Sequence, residues 1–578
     1  MAQSWRRRAG TRFDTSKHEV VASEAVVASN HPLASAAGIE TLARGGNAVD
    51  AAVATVFALT VVEPMMVSIF GGGMINLRDG ATGEITTIDN YPVAPAAARS
   101  DMYQPIGGTD PLAVEGRANE VGYRSVGVPG ALPAWAAIVA ERGKLSLAEV
   151  MAPAIRYAAE GFVTSPYLAQ CIALEANDLA CFPVSAAIFL PGGAPPQPGQ
   201  RIVRADYART LEVIAHDGPG ALTVGPIGAA VAADMAKNGG LIEQADLASY
   251  RFERRAPVRG TYRGYEIVSV GPTSSGGTHI IQILNLLEHF DVAAIGFGTA
   301  ESIHLLAEAL KIAFADRDAY GGDPAFVDVP VEWLTSTSYA AARRDQIDLK
   351  RAGRFAAGQR SPSPREGANT THLTVMDREG NVVAMTQTLQ MLFGSKVTVP
   401  GTGMLLNNHM SLFDPHPGRP NSIAPGKRML SSMSPTIVLK DGQPFFALGT
   451  PGGSRIFPAV LQAIVNVVDH GMTLQEAVEA PRIWTSGGDL EVEEAFPADI
   501  RSRLAALGHR VIVVPRIAGG MNGILRDPAS GLLHGAACWR ADGTPIGLSG
   551  GLTHRIATPG VPMSAEVPSN TPPPDPPR

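Results

Sequence analysis

Apolar residues first gather in two runs, Val20-Val21-Ala22 and Val26-Val27-Ala28, which read as two short strands. An alanine-rich helix follows over about Leu33 to Arg44 and stops at Gly45-Gly46, where glycine accepts the left-handed turn that ends helices. Asn47 can cap the next helix. In it Ala48, Val49, Ala52, Val53, Val56, Phe57 and Leu59 leave no polar face, so the pattern predicts a helix buried on every side at the centre of a layered fold. Gly71-Gly72-Gly73 then leads into two short strands around a glycine turn, and Ala131 to Asn238 reads as mostly helical. From Glu301 to Tyr320, Ile303, Leu306, Leu310 and Phe314 recur at spacings of three and four, one apolar face of a helix whose polar ends should meet solvent.

Periodicity lapses between Asp348 and Asn369, where Arg, Gly, Ser and Pro dominate, and an exposed loop is expected over about 350–369. Alternation resumes at once: THLTVM is a strand, DREGN a turn and VVAMTQT a second strand, so Thr370 opens a β-hairpin. From Thr558 the chain is too proline-rich to bury much surface, and a disordered tail over about 558–578 is expected. The pattern describes a mixed α/β chain.

Composition narrows the class. The 578 residues are 45% hydrophobic and 17% charged, with mean hydropathy +0.07, as in a folded enzyme-sized protein. A net charge of −7 gives no general pull towards nucleic acid, and Arg6-Arg7-Arg8 reads as a solvated end. Three cysteines are too few for a disulfide framework or a four-ligand zinc site, which suits a reducing compartment, although Cys171 and Cys181 could pair. No apolar signal core follows the basic start, and Ala48 to Val62 contains Asp50 and is short of the roughly 18 apolar residues of a membrane span, so a cytoplasmic protein without membrane contact is expected.

The hairpin is where chemistry enters. A threonine hydroxyl becomes a nucleophile when a base lies beside it, and an N-terminal threonine carries that base as its own α-amine. Attack of Thr370 on the Asn369 carbonyl at the loop–strand junction would cut the chain and free the amine, although threonine at a strand start is ordinarily just β-propensity. Other motifs compete weakly. Gly547-Leu548-Ser549-Gly550-Gly551 fits G-x-S-x-G but lacks the following helix and the downstream acid and histidine. His372 reads as a packed histidine, because the α-amine already fills the role of base. Gly71-Gly72-Gly73 reads as close backbone packing rather than a phosphate cradle, and no HExxH, Walker A or EF-hand pattern occurs, so neither metal nor cofactor is expected.

The run Thr370-Thr371-His372-Leu373-Thr374-Val375-Met376-Asp377, with Gly380-Asn381 and Thr386-Gln387-Thr388, resembles the start of the small subunit of γ-glutamyltranspeptidases, self-cleaving N-terminal-nucleophile hydrolases. NHPLAS at Asn30, GGNAVDAA at Gly45, TSSGGTH at Thr273, AEALKIAFADR at Ala307, SSMSPT at Ser431 and PGGSR at Pro451 extend the resemblance over nearly the whole chain in family order. The resemblance implies an α+β fold, a four-layer αββα sandwich, with a large subunit 1–369 and a small subunit 370–578 interlocked after cleavage of one precursor between Asn369 and Thr370. It implies Thr370 as nucleophile, Thr388 holding its hydroxyl, Gly452 and Gly453 as oxyanion hole, and Ser431 and Ser432 gripping a substrate carboxylate. Read alone, Pro451-Gly452-Gly453 is a turn before a helix, and the two serines are loop hydroxyls.

Departures from the family pattern bear on the substrate. Where the family reads Asn-Asn-Gln-Met-Asp-Asp-Phe, this chain reads Asn407-Asn408-His409-Met410-Ser411-Leu412-Phe413, so Leu412 replaces the acid that would pair with a glutamyl ammonium. An ammonium in a desolvated pocket without a counter-charge is strongly disfavoured. The carboxylate-binding arginine aligns on Ser100 with Arg99 one position early, and Gln390 stands where asparagine is common. The segment between Phe413 and Lys427 is shorter than in lidded members, which implies an open site, and with GAACWRADG at Gly535 it resembles the cephalosporin-acylase branch. The expected substrate is a small carboxylate-bearing amide, γ-glutamyl or glutaryl-type. The alternatives are a γ-glutamyltransferase or glutathione hydrolase proper, an unprocessed carboxylate-binding relative without activity, and serine hydrolysis through Ser549.

Overall fold

The structure is a computed structural model that describes residues 4–108, 110–357 and 369–552, without the side chains of 369 and 550–552. The expected tail and the last part of the loop before Asn369 lie outside the described residues.

Thirteen strands form one antiparallel sheet. In chain order they are β1 (Val20–Ser29), β2 (Gly72–Arg78), β3 (Ile85–Asp89), β4 (Glu253–Arg255), β5 (Val258–Tyr262), β6 (Tyr265–Ser269), β7 (Asn369–Asp377), β8 (Val382–Gln390), β9 (Thr436–Lys440), β10 (Gln443–Gly449), β11 (Asn522–Arg526), β12 (Leu533–Ala537) and β13 (Thr544–Leu552). Their order is β4-β3-β2-β8-β7-β1-β12-β11-β10-β9-β6-β5, with β13 on the other edge of β1. The strand β1 is the hinge of this arrangement: Val20–Ala22 pair with β12 and Ala25–Ser29 with β7. It corrects the expectation of two short strands, because the polar Ser23-Glu24 pair marks a bulge inside one strand.

The two halves of the sheet lie face to face. The inner residues Ala22, Val26, Ala28, Met376, Val382 and Ala384 of one half pack against Val268, Ile437, Leu439, Ala447 and Ile524 of the other. The alternate residues point outwards, as a period of two requires. Val27, Leu373, Val375, Val383 and Met385 meet the helices α1 (Pro32–Ala43) and α2 (Ala48–Val62). On the opposite side Ile267, Val438, Phe446 and Leu448 meet α3 (Gly276–Leu287), α4 (Ala300–Tyr320) and α5 (Ile456–Val468).

Every residue of α2 is buried, as its apolar circumference predicts. Its start is set by a capping box: Asn47 Oδ1 accepts from the amides of Val49 (2.9 Å) and Asp50 (3.1 Å), and Asp50 Oδ2 accepts from Asn47 N at 2.9 Å. Helix α4 meets solvent at Glu301 and partly at Asp318 to Tyr320, as expected of its ends, but His304, Glu308, Lys311, Asp316 and Arg317 are buried. Their polar groups find partners across the fold, among them Asp348 O for His304 and Gly353 O for Lys311. The N-terminus is not simply a solvated end either: Ser4–Arg8 is helical, Trp5 is buried against Phe13 and Phe297, and Arg6 reaches Glu476 at 3.2 Å. All three cysteines are free, with Cys171 buried and Cys181 exposed, so the Cys171–Cys181 pair is not formed. No described helix is long and apolar enough to cross a membrane.

Candidate active site

Alternation along β7 puts Thr370, His372 and Thr374 on the inner face and Thr371, Leu373 and Val375 on the helix face. Thr388 on β8 faces inwards beside Thr370, and the Thr370 hydroxyl points to Thr388 Oγ1 at 3.3 Å, longer than a well-formed O–H···O bond. Thr388 Oγ1 in turn accepts from the amide of Gln390 at 2.8 Å, which fixes its orientation. Gln390 has φ 87° and is buried. Thr370 is only 2% exposed.

The neighbouring His372 is a packed residue. Its Nδ1 meets Thr386 Oγ1 at 2.8 Å and its Nε2 meets Thr374 Oγ1 at 3.0 Å, and burial lowers its pKa to about 3. Gly449, the last residue of β10, lies so close to this ring that a Cβ would strike it, so the turn that follows is led to the hairpin. In that turn Gly452 has φ 142° and Gly453 φ 58°, and a Cβ on Gly452 would stand 2.8 Å from Ala518. Among the described residues neither amide donates a hydrogen bond. The turn does precede a helix, α5, and this is compatible with both readings of it.

A third segment carries Ser431 and Ser432. It is braced by the TSSGGTH run: Ser431 N donates to Thr273 O (3.2 Å), its carbonyl accepts from Ser275 N and Oγ (both 2.9 Å), and Arg317 Nε holds Ser275 Oγ at 3.0 Å. Ser431 Oγ accepts from Met433 N at 3.2 Å, whereas buried Ser432 Oγ has no partner among the described residues. The fourth segment is Asn407-Asn408-His409. Asn407 Nδ2 donates to Phe70 O and Gly127 O, and Asn408 Oδ1 accepts from Met391 N, which locks the segment to the end of β8. His409 is fully buried, its ring edge-to-face with Tyr91 at 5.0 Å; both nitrogens lack partners among the described residues, and burial lowers its pKa to about 3.

One apolar cluster ties these segments together. Met410 and Leu412 follow His409, Met433 follows the serine pair, Ile456 follows the glycine turn, and Met74 and Tyr91 come from the neighbourhood of β2 and β3. Ala98 belongs to the cluster too, yet the side chain of Arg99 is 75% exposed and pairs with Asp101 at 3.2 Å, so the structure does not bring Arg99 into the site. Ser549 lies exposed on β13, with no strand-to-helix elbow. Sequence reasoning missed Ser454, whose buried hydroxyl also lacks a partner among the described residues, and Glu63, which accepts from the Thr371 hydroxyl at 2.6 Å. Ser454 stands inside the PGGSR motif and could have been found there; Glu63 carries no local signal.

Elsewhere, His304, Glu308 and His509 gather metal-type donors within 4.8 Å of one another. Those atoms are engaged: His304 Nδ1 and His509 Nε2 are 2.7 Å apart, and Lys311 Nζ sits 2.6 Å from Glu308 Oε1, where a metal ion would need the same carboxylate.

The hairpin thus sets a buried threonine beside a second threonine, near two glycine amides that donate no bond among the described residues and unpartnered hydroxyl and imidazole groups around an apolar cluster. The chain belongs to the γ-glutamyltranspeptidase family, whose model matches residues 34–548. It is 55% identical over 544 residues to the acylase ACY 1 proenzyme of Pseudomonas sp. (strain SE83), covering 93% of this chain and 96% of that one. It is 40% identical to the glutathione hydrolase proenzyme of Escherichia coli (strain K12), covering 90% and 91%. Among solved structures, the cephalosporin acylase from Bacillus halodurans superposes with TM-score 0.84 at 32% identity, covering 93% of this chain and 98% of that chain.

Proposed function

We propose that this protein is a self-cleaving N-terminal-threonine amide hydrolase that removes dicarboxylic, glutaryl-type acyl groups, built as the four-layer αββα sandwich of N-terminal-nucleophile hydrolases. The observation that carries the reading is the placement of Thr370: it opens a core strand, faces inwards, and has Thr388 at its hydroxyl. In the precursor the hydroxyl attacks the Asn369 carbonyl, the C–N bond breaks as the peptide shifts to an ester and frees the α-amine, and water hydrolyses the ester to leave a carboxylate on Asn369 and restore the Thr370 hydroxyl. In the mature site the same hydroxyl attacks the substrate carbonyl, and the α-amine takes its proton and returns it to the leaving amine. The Gly452 and Gly453 amides hold the oxyanion, and water releases the acyl group. The unpartnered Ser432 and His409 offer donors to a carboxylate or carbonyl on the acyl chain, while Leu412 offers nothing to an ammonium. The relative named an acylase, more similar than the glutathione hydrolase, favours the same choice.

The test is the intact mass of the purified protein under denaturing conditions beside Thr370→Ala. Native protein should give residues 1–369 and 370–578, about 39 and 22 kDa by share of length, with the variant uncut and inactive on a glutaryl anilide. One uncut chain in both would replace the enzyme by a carboxylate-binding relative. A γ-glutamyl anilide cleaved well while the glutaryl anilide is untouched would make it a γ-glutamyltransferase or glutathione hydrolase proper.

A further inference from the structure

The chemistry above leaves Glu63 unused, although it is the buried acid that touches the nucleophile strand. It terminates α2 as the C-cap residue, where the helix dipole already places negative charge, and it is buried. Its Oε2 accepts from the Thr371 hydroxyl at 2.6 Å. Asn30 Nδ2 lies 3.4 Å from the same hydroxyl oxygen, and Asn522 Nδ2 donates both to Asn30 Oδ1 (3.3 Å) and to the carbonyl of His372 (2.7 Å). The two residues after the nucleophile are therefore both held, Thr371 by Glu63 at the end of α2 and the His372 carbonyl by Asn522 of β11.

That grip matters because the ladder fails at this point. Strands β7 and β8 pair in regular register as far as Thr371 and Gln387, and the next pairing joins Asn369 to Gln390. Thr370 sits in the break, so the side chain one residue on, rather than the ladder, sets where its nitrogen and hydroxyl lie.

The surroundings also decide the charge of this carboxyl. The titratable groups that bear on it are Asp542, Tyr167 and Cys171, all acids. Arg516 stands over the far ring of Tyr167 at 5.6 Å, and Lys17 answers to Asp542, Glu479 and Cys538; among the described residues none makes an ion pair with Glu63. Burial pushes the Glu63 pKa up to about 8, so near neutral pH it is a neutral acid.

We propose that Glu63 is a positioning residue for the N-terminal amine of Thr370: by holding the Thr371 hydroxyl where the ladder breaks, it fixes where the nitrogen and hydroxyl one residue earlier lie. The proposal rests on the reading of Thr370 as the freed N-terminus.

The experiment compares kcat and KM on a glutaryl anilide near pH 7 for native enzyme, Glu63→Gln and Glu63→Leu, each checked for cleavage by intact mass and for Tm. The side-chain amide introduced by Glu63→Gln can accept from the Thr371 hydroxyl as the acid does, so this variant should keep kcat within about threefold. Glu63→Leu should lose at least tenfold in kcat with little change in KM. Equal loss in both variants at unchanged Tm, or no loss in either, overturns the proposal. Should the leucine variant not fold, Glu63→Gln decides: kcat within about threefold of native at unchanged KM supports the proposal, and a tenfold loss at unchanged Tm overturns it. Failure of the Thr370 reading is seen separately, as an uncut native chain or a cut Thr370→Ala, and takes this proposal with it.

Discussion

At the scale of single residues, selectivity turns on what surrounds the acyl chain. Leu412 is buried with Met410, Phe413 and Met433, and the nearby His409 is held neutral by burial, so no anion in this group would pair with an α-ammonium. Replacing Leu412→Asp should raise the ratio of γ-glutamyl to glutaryl anilide cleavage, read as kcat/KM, by about tenfold or more, 1.4 kcal/mol being one decade. It should also lower Tm, since a carboxyl enters an apolar cluster. An unmoved ratio in a folded, cut variant would remove Leu412 from the account of selectivity. The juxtaposition of Thr370 and Thr388 was legible in the sequence because a hairpin and a family motif coincide there. The Glu63–Thr371 contact was not, because its partners stand 308 residues apart and hydrogen bonding at such separation leaves no local pattern. Arg99 was read towards the site from its neighbour in the alignment, but its exposed position beside Asp101 is a matter of loop path that spacing cannot supply.

At the scale of elements, the hairpin depends on how closely β2 approaches it. A Cβ on Gly73 would stand 2.0 Å from the carbonyl oxygen of Thr386, and one on Gly71 would stand 2.2 Å from that of Thr388. The glycine run is thus the packing surface expected from its composition. Gly73→Ala must push β2 away from β8 and should cost about 1–3 kcal/mol, as overpacking does, with slower self-cleavage because Thr388 rides on the displaced strand. Chemical denaturation and the rate at which precursor disappears on a denaturing gel check this; native stability and native processing would show that the sheet absorbs the methyl. Element by element, apolar periodicity located α2 and the hairpin well, since one is uniformly apolar and the other strictly alternating. It failed where polarity is misleading: Ser23-Glu24 divides β1 on paper but only bulges it, and the polar side of α4 is buried by partners the local pattern does not contain.

At the scale of the molecule, the strand order determines what a cut before Thr370 can release. Strands β7 and β8 lie between β2 and β1, while β9 to β12 lie between β1 and β6, with β13 along the remaining edge of β1. The segments 1–369 and 370–578 therefore meet along five antiparallel ladders: β2 with β8, β1 with β7, β1 with β12, β1 with β13, and β6 with β9. The apolar layer between the sheet halves also draws on both segments, Val26 and Val268 from one, Met376 and Ile437 from the other. Neither segment can leave without exposing strand edges and that layer, a cost paid all at once. Cleaved protein should accordingly elute as one species in size exclusion under native conditions and unfold in a single transition, with circular dichroism and near-ultraviolet signals coincident. Separate elution of the 39 and 22 kDa pieces (approximate masses by length), or two resolved transitions, would mean that the ladders do not bind the halves together. A cut before Thr370 would fall at one end of a central strand and leave these five ladders in place, so the chain would gain a terminus in its core while keeping the packing that positions it.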